Sequence, residues 1–287
     1  MLPVRLPEQR DLFFAHPHLT GSTWPEPPRH PFDDRVAAVA EVGSTGMGMA
    51  TYELDELLRT RSPDDLRGVL ADHGVRIGEL EVLLDWHTDD VERVAEKVIV
   101  DYAGMFGATR VKAAAFFFPP AVPPPPALLV ERFAGLCDRA ADHGLTIALE
   151  PVALFPEFSY AVAADMVVAA DRPNGGLLFD AWQTFRDPTG MSTLDRIAAR
   201  HVTGVELADG HATPRGALDV DCLNHRLLPG AGDFDLVRFL RALDAKGVEV
   251  PLSVEVLSAE LRDLTPRDNA RRTVSAFRDL LAEVRES

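Results

Sequence analysis

The chain has 287 residues, 46% of them hydrophobic and 26% charged, and a formal net charge of −16. That length and composition suit one globular α/β barrel, a fold that takes about 250 residues and buries its core without staples. Lysine occurs at Lys97, Lys112 and Lys246 alone, and no Lys/Arg cluster breaks the acidic balance, so a nucleic-acid partner is not expected. Cys137 and Cys222 stand apart, outside any CxxC pair, which argues against a disulfide framework or a thiolate zinc site. No apolar run reaches the roughly 18 residues of a membrane span, and residues 1–14 lack the charge and apolar pattern of a signal peptide. The expected location is the cytoplasm.

Short apolar runs alternate with amphipathic stretches, the rhythm of βαβ units in a parallel sheet. A first strand is expected at 12–15, then a helix over 33–42 ending before Gly43. A weak second strand falls near 47–50, with helical segments at 53–60 and 63–73. The third strand is expected over 75–84, a helix over 89–106, and the fourth strand over 109–117. Residues 119–126, PPAVPPPP, read as a stiff loop. A helix over 127–143 precedes strand five (145–150), and a helix over 160–171 precedes strand six (176–180). A short helix at 190–199, strand seven (201–207), a helix at 234–246, strand eight (250–256) and a closing helix at 266–285 complete the pattern. Eight strands with helical connections predict a single-domain (β/α)8 TIM barrel spanning 1–287. An open doubly wound sheet would carry a GxGxxG turn after its first strand, and none is present.

Barrel chemistry sits at the C-terminal strand ends. Strands five to eight each deliver a carboxylate there: Glu150, Asp180, Glu206 (with Asp209 three residues on) and Glu255. A single acid after a strand is commonly a helix N-cap, but four in succession are harder to explain that way. Converging carboxylates repel one another and raise each other's pKa values, and a divalent cation relieves that repulsion. All-oxygen ligation favours a hard ion, Mn2+ or Mg2+, with Zn2+ or Co2+ as alternatives. A hydrogen-bonded acidic network without metal is the competing reading.

The segments ALEPV (148–152), LLFDAWQTFR (177–186), VELADG (205–210), RLLPGAGDFDL (226–236) and LSVEVLSAEL (252–261), with a looser match at 73–86, resemble the xylose isomerase-like barrels of the sugar phosphate isomerase/epimerase superfamily. The resemblance implies one divalent metal held by Glu150, Asp180, Glu206 and Glu255. Two positions depart from the family pattern. Glu206 stands where a neutral His or Gln is usual, and Gln183 where many members carry His. Four ionised carboxylates around a divalent ion leave excess negative charge, costly unless cations approach or a carboxyl keeps its proton. Arg226, Arg186 and Lys112 are the candidate compensators; alternatively Glu206 is protonated or stands off the metal. Gln183 can hydrogen-bond a substrate oxygen but cannot carry a proton near neutrality.

The resemblance further implies an isomerase or epimerase of a small sugar, polyol or keto acid, with Glu150 and Glu255 as the proton-transferring pair. Arg226, in a loop before the last strand, is expected to clamp a substrate carboxylate, phosphate or hydroxyl, or to be tied to its own loop acids. Glu81 and Trp86 end the third strand; Trp86 either walls a sugar ring or packs against the next helix. His16 or His18 could replace the missing imidazole, or both are loop histidines with local bonds. Alternatives are a dehydratase of a cyclic polyol ketone or dehydroshikimate-like acid, which begins with the same proton abstraction, and a non-catalytic ligand-binding barrel. An abasic-site endonuclease is disfavoured by the lack of a histidine-rich cluster and by the net charge. The expected partner is a small molecule, without nucleic acid or membrane, and a homo-oligomer stays open.

Overall fold

A computed structural model describes residues 12–89, 91–118 and 121–286. Each expected apolar run forms a parallel strand: β1 (Leu12–Phe14), β2 (Gly46–Ala50), β3 (Arg76–Leu83), β4 (Arg110–Ala114), β5 (Thr146–Glu150), β6 (Gly175–Asp180), β7 (Val202–Leu207) and β8 (Leu252–Val254). Each pairs with the next, and β8 pairs with β1 through Phe13↔Ser253, so the sheet closes into an eight-stranded (β/α)8 barrel. The reading of residues 1–11 and of Pro119–Pro120 lies outside the described residues.

The weak sequence signal of β2 has a packing cause. A Cβ at Gly46 or at Gly78 would lie 2.1 Å from the Phe13 ring, so these glycines make room for an aromatic inside the barrel. That space replaces the apolar side chains that usually mark a strand.

The main helices are α1 (Phe32–Glu41), α2 (Thr51–Leu57), α3 (Pro63–Asp72), α4 (Val94–Phe106), α5 (Pro126–Ala141) and α6 (Tyr160–Ala170). They are followed by α7 (Ala181–Arg186), α8 (Gly190–Arg196), α9 (Leu218–Asn224), α10 (Leu236–Ala245), α11 (Ala259–Arg262) and α12 (Pro266–Glu286). Helix α4 begins at Val94, five residues later than its sequence pattern suggests. The short helices α7, α9 and α11 were not expected; all three sit on the C-terminal side of the barrel, after β6, β7 and β8. Among the described residues, no helix is long and apolar enough to cross a membrane.

Strand register sets the site. Ala114 lies beside Glu150, Asp180 beside Glu206, and Glu206 beside Ser253, which brings the C-terminal ends of β4 to β8 to a common level.

Candidate metal centre

Four carboxylates converge at that level. Glu150 ends β5, Asp180 ends β6, Glu206 is the penultimate residue of β7, and Glu255 directly follows β8. One oxygen from each lies within 4.8 Å of the others, and all four residues are buried. The donor set is all oxygen, in a space small enough for one ion, and so fits a hard divalent cation.

Two cations reach into the same cluster. The Lys112 ammonium, from β4, lies 2.8 and 3.0 Å from the two oxygens of Glu206, 2.9 Å from Glu255 Oε1 and 3.0 Å from Glu81 Oε2. The Arg226 guanidinium donates through Nη1 to Asp180 Oδ2 (2.8 Å) and Glu255 Oε2 (3.1 Å). Two of the three expected compensators are therefore in place. The third, Arg186, is not: it pairs with Asp221 at 2.8 Å.

Five carboxyl groups thus face two cations, and the imbalance appears in their proton affinities. Burial pushes Glu150 up to about 8, with Lys112 opposing and Glu255 and Asp180 reinforcing the rise. Burial likewise raises Glu81 and Asp180, and moves Glu206 well above the usual carboxylate range against the pull of Lys112. Glu255 alone moves down: burial acts against it, but Lys112 and Arg226 together outweigh that cost. The acids surrounding Lys112 overcome its burial and keep it charged. An ammonium has only donors and faces both oxygens of Glu206, which suits the carboxylate form of that residue rather than the acid. Among the described residues, none donates to the carboxyl of Glu150, which lines the cavity.

The cavity, of about 280 Å³, opens at this end of the barrel. His16, Glu81, Lys112, Gln183 and Arg226 all line it beside Glu150 and Glu255. His16 is a neutral imidazole, because burial and the nearby Arg35 and Lys112 charges disfavour its cation. Its main-chain N–H donates to Glu81 Oε1 at 2.7 Å, and its ring meets Tyr52 Oη at 3.1 Å and Glu53 at 3.3 Å. Gln183 is partly committed, its Oε1 accepting the Ala153 N–H at 2.9 Å. Arg226 is held from several sides, by its two acids, the Cys222 carbonyl and the Trp182 ring. Asp180 serves twice: Oδ1 caps α7 through the Gln183 N–H while Oδ2 takes Arg226.

Two candidates lie elsewhere. Trp86 does not line this cavity; its indole N–H donates to the Ala114 carbonyl at 2.9 Å and its ring packs on Phe133 of α5, a helix further along the chain than the expected α4. His18 is structural, accepting the Val256 N–H at 3.0 Å and meeting Thr273 Oγ1 at 2.8 Å, which ties the β1 loop to the β8 end and α12. Asp209 accepts four main-chain N–H groups, from Gly210, Gly230, Gly232 and Phe234, at 2.8–3.1 Å. It latches the 228–234 loop, which follows Arg226.

The family model of the xylose isomerase-like TIM barrel matches residues 36–280. The chain belongs to that family. This xylose isomerase-like barrel is 31% identical over 259 residues to a 3-dehydroshikimate dehydratase of Pseudomonas aeruginosa, covering 86% of this chain but only 39% of that protein. It is 26% identical over 231 residues to an inosose isomerase of Bacillus velezensis, covering 76% of this chain and 80% of the relative. Among solved structures, the IolI protein with a bound zinc atom superposes with a TM-score of 0.83 at 21% identity, covering 95% of this chain and 98% of that one.

Proposed function

We propose that this barrel is a divalent-metal-dependent isomerase or epimerase that removes a proton from the carbon next to a carbonyl of a small hydroxy-carbonyl compound. The observation that carries the reading is the buried four-carboxylate cluster, of which Glu150 and Glu255 line the cavity. Glu150, Asp180 and Glu255 hold the ion, with Mn2+ or Mg2+ favoured by the oxygen donors, and Glu206 is held back from it by Lys112. When bound, a divalent ion there supplies Lewis acidity, polarising a carbonyl and offsetting negative charge.

The chain's own residues supply the rest. Glu150 has the raised proton affinity of a base working near neutrality and, among the described residues, no donor competing for its carboxyl. Glu255, kept ionised by Lys112 and Arg226, is the second carboxylate of the proton-transferring pair. Neutral His16 and the Gln183 amide, whose Nε2 also donates to Cys222 Sγ at 3.9 Å, line the cavity and orient substrate hydroxyls.

A second reading, a dehydratase, is supported by the similarity to a 3-dehydroshikimate dehydratase over 86% of this chain. It shares the first proton abstraction and differs in expelling a β-hydroxyl as water.

Metal analysis of protein purified without chelator, followed by solvent-deuterium exchange into cyclic and open-chain hydroxyketones, tests both readings. Bound metal with exchange and no loss of water supports the isomerase; exchange with an unsaturated product supports the dehydratase. Metal without exchange into any of them indicates a ligand-binding barrel. No bound metal, and no rise in melting temperature with Mn2+ or Mg2+, rejects the metal-dependent enzyme.

A further inference from the structure

The cavity has two chemically distinct tiers. Its floor is charged, built by strand ends. Its rim is aromatic, built by loops: Trp24 follows β1, Phe116 and Phe118 follow β4, and Phe155 follows β5, and all four line the opening. Phe116 and Phe155 stack with centroids 5.3 Å apart. Trp24 meets Phe116 edge-on at 5.7 Å, and Phe118 meets Phe155 edge-on at 5.1 Å. Below them the wall continues with Val82, Val152, Leu154 and Leu257.

Phe118 is 64% exposed although it belongs to this cluster, presenting apolar ring surface at the opening. A fully hydroxylated open chain reaching from floor to rim would set hydroxyls against Val82, Val152, Leu154, Leu257 and the three Phe rings, which offer no donor or acceptor; beyond the floor, the Trp24 indole and Asp219 are the polar side chains that also line the cavity. A phosphorylated substrate fares no better. The cations lining the cavity among the described residues, Lys112 and Arg226, are already bonded by carboxylates.

We propose that the substrate carries an apolar ring: two adjacent oxygens sit at the floor, and a six-membered carbocyclic or aromatic ring sits between Trp24, Phe116, Phe118 and Phe155. The assignment rests on the metal-centre reading above for the lower half of the substrate. It adds a selectivity that the floor cannot provide. The floor recognises two oxygens whatever they are attached to, whereas aromatic side chains discriminate a ring by stacking and edge contact.

Two hydroxamates separate the tiers, because they share a bidentate oxygen head and differ in the ring. Calorimetric titration of the Mn2+-loaded full chain should show benzohydroxamate binding about tenfold or more tighter than acetohydroxamate. In the double variant W24A/F118A that ratio should fall to within about threefold, with acetohydroxamate affinity retained. Equal affinities in the unaltered protein would overturn the ring assignment and leave the metal centre standing. A ratio that persists in W24A/F118A would place the ring elsewhere and also overturn it. Binding of neither hydroxamate, with Mn2+ itself not retained, would remove the metal centre and the ring assignment together.

Discussion

Lys112 of β4 and Glu206 of β7 form a buried ion pair across the barrel interior, with Nζ 2.8 and 3.0 Å from the two carboxylate oxygens. Together they are electrically neutral at a place where the family resemblance implies a neutral ligand. Removing only one partner strands a buried charge, which costs about 3–5 kcal/mol. We expect K112M to lose stability of that order in urea unfolding, and the paired variant K112M/E206Q to recover much of it. Additive losses in the double-variant cycle would show that the two residues are not coupled.

Glu150 is the carboxylate with the least protein support, so its loss should fall on the ion rather than on the fold. E150Q is expected to bind Mn2+ more than about 100-fold more weakly, beyond the 10–100-fold typical of losing an outer supporting partner. Turnover should vanish while the metal-free melting temperature at pH 8 holds or rises. Unchanged Mn2+ affinity in E150Q would remove Glu150 from the proposed ligand set.

The raised proton affinity of Glu150 gives a signed pH dependence. Its carboxyl releases its proton near 4.5 in the unfolded chain and near 8 in the folded, metal-free protein. Between those values the folded state holds a proton that the unfolded chain has lost, so this contribution to stability falls as pH rises. Raised Glu81 and Asp180 act in the same direction. Buried His16 and His18, whose affinities are lowered, act oppositely: their contribution grows as pH rises to about 6.5 and is then complete. The melting temperature of metal-free protein should therefore decline between about pH 6.5 and 8. Saturating Mn2+ should remove the decline, and E150Q should flatten it. A rise across the same interval without metal would contradict the account.

Asp209 holds a loop instead of an ion. Four N–H groups converge on its two oxygens, so D209A should cost about 3 kcal/mol in chemical denaturation, while Mn2+ affinity stays within about threefold. A loss of metal affinity much larger than the loss of stability would assign Asp209 a direct part in the centre.

The barrel was legible because its strands are continuous apolar runs that end in acids, and that pattern also marked the four carboxylates. Helices α7, α9 and α11 were not, since four to seven residues hold too little of a helical period to register. Lys112 was recognisable as a lysine inside an apolar strand, RVKAA, but its three carboxylate partners come from β3, β7 and the end of β8, a convergence only closure of the sheet creates. Trp86 and His18 were ambiguous because strand-end residues can turn toward the mouth or toward the surrounding helices, and neighbours distant in sequence, Phe133 and Thr273, decide it. The aromatic rim left a trace in the run Phe116–Phe118, but Trp24 and Phe155 join it only in three dimensions.

The separation of an acidic floor on strands from an aromatic rim on loops also has an evolutionary side. On the proposed assignment, replacements at Trp24, Phe116, Phe118 or Phe155 would alter which molecules are admitted, and all four lie outside the strands that carry the carboxylates. Reactivity and selectivity can then drift independently, and a library confined to those four positions would sample new substrates while the reaction stays fixed.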